Sequence, residues 1–138
     1  MVENHKMVVE NSGLLTIAAL KHLDVTDKRV VSILSGGNMD VITMSSVVQQ
    51  GLIFRDRIFT VSVLLPDKPG ELAKVSEVLA AEQGNVIKLE HNQFVSTNRS
   101  AAVELRITLE CFGTEHKKQI MKALEKSGYK PKSVRTVI

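Results

Sequence analysis

The chain has 138 residues, of which 43% are hydrophobic and 24% charged, and its formal net charge is +3. These values exclude extensive disorder, and the length allows one domain with a core plus a smaller appendage. The single cysteine, Cys111, excludes an internal disulfide and a cysteine-based metal cluster, which favours a reducing compartment. No apolar run reaches membrane-spanning length and the first residues lack the order of a signal peptide, so we expect a cytoplasmic protein without a membrane partner.

The first part of the chain predicts a piece of an α/β fold. Apolar residues at 7–9 and 28–34 indicate short buried strands, with a helix over 12–23 between them and another over 40–50 after them. Parallel strands of this kind need helices on both faces and neighbours on both edges, which about fifty residues cannot supply. We therefore expect residues 1–54 to be the final part of a larger domain.

A polar turn with paired glycines follows the second of these strands. Its residues are Ser35, Gly36, Gly37 and Asn38. They stand at the carboxyl end of the strand, where open α/β sheets bind ligands, and the paired glycines permit close backbone approach. Taken alone, the tetrapeptide favours an ordinary strand-to-helix turn.

The second part of the chain predicts a complete domain. The pattern indicates a strand over 58–65, a helix over 70–83, a strand over 86–94 and a polar turn over 96–100. Residues 103–111 alternate apolar with polar, which predicts a strand with one buried and one solvated face. A helix follows with Thr114 as its N-cap, and a last strand covers 132–138. This order predicts an α+β fold of the ferredoxin-like type, with both helices on one face of an antiparallel sheet.

The junction between the first strand and helix of this domain is a candidate ligand site. Pro69 presets φ for a first helical position, and Gly70 lets a ligand approach the backbone closely. Unpaired N–H groups and the positive end of the helix then suit an anionic group, such as the carboxylate of an amino acid.

Other chemistries have weaker support. Aromatic residues are 4% of the chain and tryptophan is absent, so we expect no nucleic-acid partner despite several late lysines. His91 and Glu90 face opposite sides of a strand, and the other histidines are scattered. We therefore assign no catalytic residue and no metal site.

Two motifs that follow one another along the chain resemble those of a known family. The resemblance is to the closing segment of threonine dehydratases, which are pyridoxal-phosphate (PLP) enzymes of fold type II. It is carried by residues 10–13, which precede a helix, and by residues 28–38, which end in Ser-Gly-Gly-Asn. The region that follows resembles an ACT domain, the regulatory module of many enzymes of amino-acid metabolism. The resemblance implies that residues 1–54 are the remnant of a catalytic domain and residues 55–138 a βαββαβ ACT domain. The parent enzyme would deaminate threonine to 2-oxobutanoate and ammonia.

The resemblance also implies where a cofactor would bind. Ser35 would hydrogen-bond the pyridine nitrogen of PLP, with Gly36, Gly37 and Asn38 shaping the turn. The family's Schiff-base lysine and glycine-rich phosphate loop lie far upstream and neither is present in these residues. We therefore expect the chain as given to be non-catalytic and to hold no cofactor by itself.

Finally, the resemblance places an effector site where two copies of the domain meet, between the first strand–helix loop of one and the second strand of the other. Carried onto this chain, its residues are Leu65, Pro66, Asp67, Lys68, Pro69, Gly70, Glu71, Leu72, Asn85, Val86 and Ile87. The pathway of the resembled enzymes implies isoleucine or valine as the favoured effector, and small apolar amino acids suit the site because apolar side chains could line it. Two alternatives stay open: Asn85 also fits a helix-terminating turn, and the domain also fits a ligand-free oligomerisation element.

Overall fold

A computed structural model describes residues 5, 7–92 and 102–137. The chain forms two compact units, Met1–Ser46 and Val47–Ile138, and the boundary falls inside a helix. The division at residues 54 and 55 given by the family resemblance stays a prediction. Within the described ranges, no helix combines the length and the apolar character needed to cross a bilayer.

The first unit contains helical turns and extended chain. Short 3₁₀ turns, Ser12–Leu14 and Leu20–His22, flank helix α1 (Leu15–Ala19), and helix α2 (Val41–Phe54) starts in this unit. The strands expected at 7–9 and 28–34 are wrong, because neither stretch pairs with another strand within the described residues. A strand needs a neighbouring edge for its backbone groups, and here Val31 is 89% exposed.

The second unit is a four-stranded antiparallel sheet with two helices. Its elements are β1 (Ile58–Pro66), α3 (Glu71–Ala81), β2 (Asn85–Asn92), β3 (Ala102–Glu110), α4 (Thr114–Lys126) and β4 (Lys132–Val134). The strand order is β2-β3-β1-β4, which confirms the ferredoxin-like α+β fold. The strand expected over 132–138 ends early, at Val134. Residues 93 and 94 of the expected second strand, the turn at 96–100 and residue 138 lie outside the described residues.

One face of the sheet packs against α3 and α4 and forms the core. Apolar side chains alternate with polar ones along both β1 and β3, and the register places the apolar ones side by side, with Ile107 opposite Val61 and Leu105 opposite Val63. Each fully buried side chain of this size contributes about 1.5–3 kcal/mol of hydrophobic stabilisation. The core residues are Phe59, Val61, Val63, Leu65, Val75, Leu79, Leu105, Ile107, Leu109, Cys111, Ile120 and Leu124.

The opposite face of the sheet is polar, yet its centre is buried. Thr60, Ser62, Glu104 and Thr108 are 6%, 7%, 8% and 5% exposed, respectively. The prediction that this face of β3 is solvated is therefore wrong at Glu104 and Thr108. The physical reason is that β3 lies between β2 and β1, so these side chains have neighbours on both sides and find hydrogen-bond partners there.

A cluster of contacts fixes the start of α4 to the start of β1. Gly113, not Thr114, occupies the N-cap position. The Thr114 hydroxyl instead donates to Asp56 Oδ2 at 2.9 Å, and Lys117 Nζ lies 2.6 Å from Asp56 Oδ1. These contacts, led by the hydrogen bond from Lys117, hold the pKa of Asp56 below its ordinary value.

Candidate functional site

The loop between β1 and α3 is a tight turn that ends in a left-handed glycine. Lys68 N donates to the Pro66 carbonyl at 2.8 Å, and Gly70 has φ +89°. Helix α3 begins at Glu71, with Gly70 as its N-cap, so the expectation that Pro69 is the first helical residue is wrong. Only glycine adopts this φ without strain, which explains its place in the turn.

The first turn of α3 leaves room for an anionic group. Among the residues that the structure describes, no side chain caps this end of the helix. Glu71 brings a negative charge, but its Oε1 lies 2.7 Å from Lys74 Nζ, and this hydrogen bond raises the pKa of Lys74. A Cβ built on Gly70 meets no atom of the described residues within 4 Å, so they leave space beside the backbone. Backbone N–H groups at such a helix end favour a carboxylate.

The start of β2 forms the second part of the predicted site. Asn85 pairs with Glu110 on β3, and its Nδ2 donates to Glu110 Oε2 at 3.2 Å. The register shifts between Val86 and Lys88, so Ile87 lies at a β-bulge. β2 is an edge strand, and Val86 and Ile87 are both exposed. The start of β2 thus presents one amide and two apolar side chains at the sheet edge.

The two parts of the predicted site lie at opposite ends of the sheet. Asn85 and Ile58 both pair with Glu110, whereas Pro66 pairs with Ala102 at the far end of β3. Eight residue steps along β1 separate these ends, which amounts to about 26 Å. One copy of the chain therefore does not bring the loop and Asn85 together.

The Ser-Gly-Gly-Asn turn belongs to the first unit and has its own geometry. Gly36 has φ +85°, and a Cβ there would lie 2.5 Å from the Glu10 side chain. The Glu10 carboxylate also accepts a hydrogen bond from Asn38 N at 3.1 Å. The Ser12 hydroxyl donates to the same carboxylate, and these contacts, led by that of Ser12, lower the pKa of Glu10. The Glu10 side chain thus packs against Gly36 and hydrogen-bonds to Asn38, and these contacts stabilise the turn.

Comparison with known proteins identifies the second unit. The family model described as "ACT domain" matches residues 59–128, half of the chain. The chain belongs to the ACT domain family. A solved structure similar to it is the ACT domain of prephenate dehydrogenase from Bacillus anthracis, at 25% identity and a TM-score of 0.41, covering 53% of this chain and 99% of that one.

Curated relatives extend the similarity beyond the ACT domain. The chain is 35% identical over 131 residues to an L-threonine ammonia-lyase of Geobacter sulfurreducens, covering 94% of this chain and 33% of that protein. It is 29% identical over 135 residues to an L-threonine ammonia-lyase of Thermotoga maritima, covering 97% and 34%. The chain thus spans about a third of the length of these relatives and matches their C-terminal part.

Within the ACT domain, the structure places the predicted site residues on the loop and on the elements beside it. Asp67, Lys68, Pro69 and Gly70 form the loop, whereas Pro66 ends β1, Glu71 begins α3 and Asn85 begins β2. Leu72, Val86 and Ile87 expose apolar surface, whereas the Leu65 side chain is buried in the core and does not face the site. Sequence reasoning missed Glu110, the partner of Asn85, because the pairing of β2 with β3 depends on a register that a β-bulge shifts.

Proposed function

We propose that this chain is the amino-acid-sensing regulatory region of a cytoplasmic, PLP-dependent enzyme that deaminates threonine, and that the chain itself is non-catalytic. The observation that carries the proposal is that one similarity to L-threonine ammonia-lyases spans 94% of the chain, across both the Ser-Gly-Gly-Asn turn and the ACT domain. A similarity to the regulatory module alone would begin near its first strand, at residue 59, and would not include the turn at residues 35–38.

The separation of the loop from Asn85 favours a site made by two copies. Edge strands related by a two-fold axis pair antiparallel, which satisfies the unpaired backbone groups of both edges. Such pairing of β2 with β2 sets Asn85 of one copy beside Asn92 of its neighbour. Asn92 lies opposite Glu104, which lies opposite Leu64 near the end of β1. The loop of the neighbour is at that same end, so each pair of copies forms two equivalent sites.

The groups at such a site suit a small apolar amino acid. The N–H groups of the first turn of α3 would take the carboxylate. Because Asn85 Nδ2 is held by the Glu110 carboxylate, which only accepts, the free Oδ1 would accept a hydrogen bond from the ammonium group. Leu72, Val86 and Ile87 offer apolar contact for a branched side chain. Isoleucine or valine is accordingly the favoured effector.

The turn at residues 35–38 supports a role toward PLP in the intact enzyme. The Ser35 hydroxyl makes no hydrogen bond to another residue in the described part of the chain, so it is available to the pyridine nitrogen. PLP, when bound, supplies an electron sink for chemistry at the substrate's α-carbon. Ser35 is neutral, and a neutral partner leaves the pyridine nitrogen unprotonated, which suits β-elimination. Gly36 lets the turn pass closely over Glu10.

Titration calorimetry tests the regulatory proposal. L-isoleucine, L-valine, L-serine and L-threonine are titrated separately into the chain, whose folding is checked by circular dichroism. We expect saturable heat from isoleucine or valine, with one ligand per chain at saturation, and weaker heat from serine, because Asp67 and Lys68 offer no amide in the loop. A folded protein that gives no heat with any of the four contradicts the proposal.

The exposed apolar residues of β2 favour a second candidate, a ligand-free oligomerisation domain. Val86, Ile87 and Leu89 lie on an unpaired sheet edge, where association would bury them. Sedimentation velocity with and without isoleucine separates the candidates. A stable dimer whose dissociation constant does not respond to any of the four amino acids supports pure oligomerisation. A dimer that tightens with isoleucine supports sensing at the interface.

A further inference from the structure

A row of three polar side chains and one valine crosses all four strands on the face of the sheet opposite α3 and α4. Lys88 pairs with Thr108, Thr108 pairs with Thr60, and Thr60 pairs with Val134. Since directly paired residues of antiparallel strands lie on the same face, these four side chains share one row. The next row on this face holds Glu90, Arg106, Ser62 and Lys132.

The first row forms the floor of a cavity of about 510 Å³. We call it the sheet-face cavity; its lining residues are Thr60, Lys88, Glu90, Arg106, Thr108, Val134, Arg135 and Val137. Its volume lies within the range of small-molecule sites in proteins, roughly 300–1,000 Å³. The cavity is on the opposite side of the sheet from the core, and none of its lining residues belongs to the predicted effector site.

The floor of the cavity retains a hydrogen-bond donor. Thr60 Oγ1 and Thr108 Oγ1 lie 2.9 Å apart and both residues are buried. Each hydroxyl has one hydrogen, and the bond between them uses only one of the two. The second hydrogen is therefore left to donate, and a buried hydroxyl of this kind favours an acceptor.

The charged groups of the wall leave one cation unpaired. Lys88 Nζ lies 2.7 Å from Glu90 Oε1, and Arg106 Nε lies 3.1 Å from Glu104 Oε2. Glu104 also accepts a hydrogen bond from Ser62 at 2.6 Å, which is the main reason that its pKa is lowered. Arg135 makes no hydrogen bond or ion pair with another residue of the described ranges. Glu90 of the lining and Glu104 beside it are thus both engaged, while the Arg135 guanidinium is free within the described ranges.

We propose that the sheet-face cavity binds a small aliphatic monocarboxylate. The carboxylate lies between the Arg135 guanidinium and the Thr60–Thr108 hydroxyl pair, and the aliphatic chain packs on Val134 and Val137. The lining carries three cationic side chains and one carboxylate, Glu90, which Lys88 already engages. The excess of positive charge disfavours an ammonium group, so a simple carboxylate binds better than the matching amino acid. The described lining residues include no aromatic side chain on which a nucleic-acid base could stack.

Two-dimensional NMR of the ¹⁵N-labelled full chain tests the proposal, with 3-methylpentanoate as the probe. We expect saturable shifts at the amides of Thr60, Thr108 and Arg135. The Arg135→Gln variant should raise the dissociation constant about tenfold, because one charge-assisted hydrogen bond is lost. Lys126→Gln removes another exposed cation elsewhere and should leave binding unchanged. The double variant Thr60→Val/Thr108→Val should weaken binding several-fold without leaving a hydroxyl unpaired.

Two comparison ligands complete the experiment. L-isoleucine, the matching amino acid, should shift the same amides more weakly, and 3-methylpentan-1-ol, which lacks the carboxylate, should not shift them. The proposal is overturned by the absence of saturable shifts, by equal affinities of the Arg135 and Lys126 variants, or by an alcohol that binds as well as the acid. Shifts confined to residues 65–72 and 85–87 also overturn it, because they assign the probe to the proposed effector site.

Discussion

Replacement of Gly70 by alanine separates the role of the loop in binding from its role in folding, because the chain offers a matched control. Gly70 has φ +89° and Gly128 has φ +88°. A Cβ built on either residue meets no atom within 4 Å in the part of the chain that the structure describes. The two substitutions therefore place a Cβ on backbones of nearly equal positive φ, and neither creates a steric clash with a described residue. Only Gly70 lies at the predicted effector site, at the start of α3.

The expected loss of stability is the same for both variants. A residue with a Cβ in the left-handed region costs about 1–2 kcal/mol, and the reduced entropy of the unfolded chain offsets about 0.4–1 kcal/mol of it. Each variant should thus lose about 1 kcal/mol, which lowers the melting temperature of a domain of this size by about 4–8 °C. Urea unfolding, followed by circular dichroism, measures the free energy directly.

The expected effect on binding differs between them. Gly70→Ala places a methyl group where the effector carboxylate approaches the backbone, so the affinity for isoleucine should fall by about tenfold or more. Gly128→Ala should leave that affinity within about twofold of the unsubstituted chain, since distant sites act independently. If calorimetry finds equal affinities for the two variants, the loop does not hold the carboxylate and the reasoning fails.

Three further predictions concern stability and association. Asp56→Asn removes the negative charge that pairs with Lys117 and should cost about 1 kcal/mol at neutral pH, a value already reduced for solvent screening. Because folding lowers the pKa of Asp56, its stabilisation is present above the unfolded pKa, about 3.9, and is lost as the pH falls through the folded value; urea unfolding of both proteins should therefore converge in acid. Ile107→Ala should cost about 2–5 kcal/mol in the same assay, because Ile107 is fully buried; a loss below 1 kcal/mol contradicts the described core. Ile87→Lys places a charge on the β2 edge and should weaken self-association in sedimentation velocity with little effect on unfolding, and an unchanged association constant argues against β2 pairing.

The second unit was predictable because its signals are local and periodic. The alternation around Ile107 predicted a strand and its buried face, and Gly70 marked the turn before α3. The polar face of β3 was predicted less well, since the burial of Thr108 depends on the neighbouring strands and not on the pattern of β3 itself. Such burial depends on which strands pair with β3, and the sequence of one strand does not reveal its neighbours.

The first unit shows the opposite case. The apolar run that contains Val31 has the composition of a buried strand, but the described chain supplies no partner strand, so the run stays extended and exposed. The position of Asn85 was likewise hidden, because sequence proximity to α3 does not reveal that β2 starts at the end of the sheet opposite the loop. The register of β2 and β1 against β3 shows that Asn85 and the loop lie at opposite ends of the sheet, and this separation is the reason to propose a site shared by two copies.

Mixing two defective variants tests the shared site most directly. Gly70→Ala damages the loop half and Asn85→Ala damages the β2 half, and each homodimer should bind isoleucine weakly or not at all. When the two are unfolded together and refolded in equal amounts, half of the dimers are mixed, and each mixed dimer has one intact site. Calorimetry should then recover about a quarter of the original binding stoichiometry at the original affinity. If mixing restores nothing although mass spectrometry shows mixed dimers, the two halves do not belong to one site between copies.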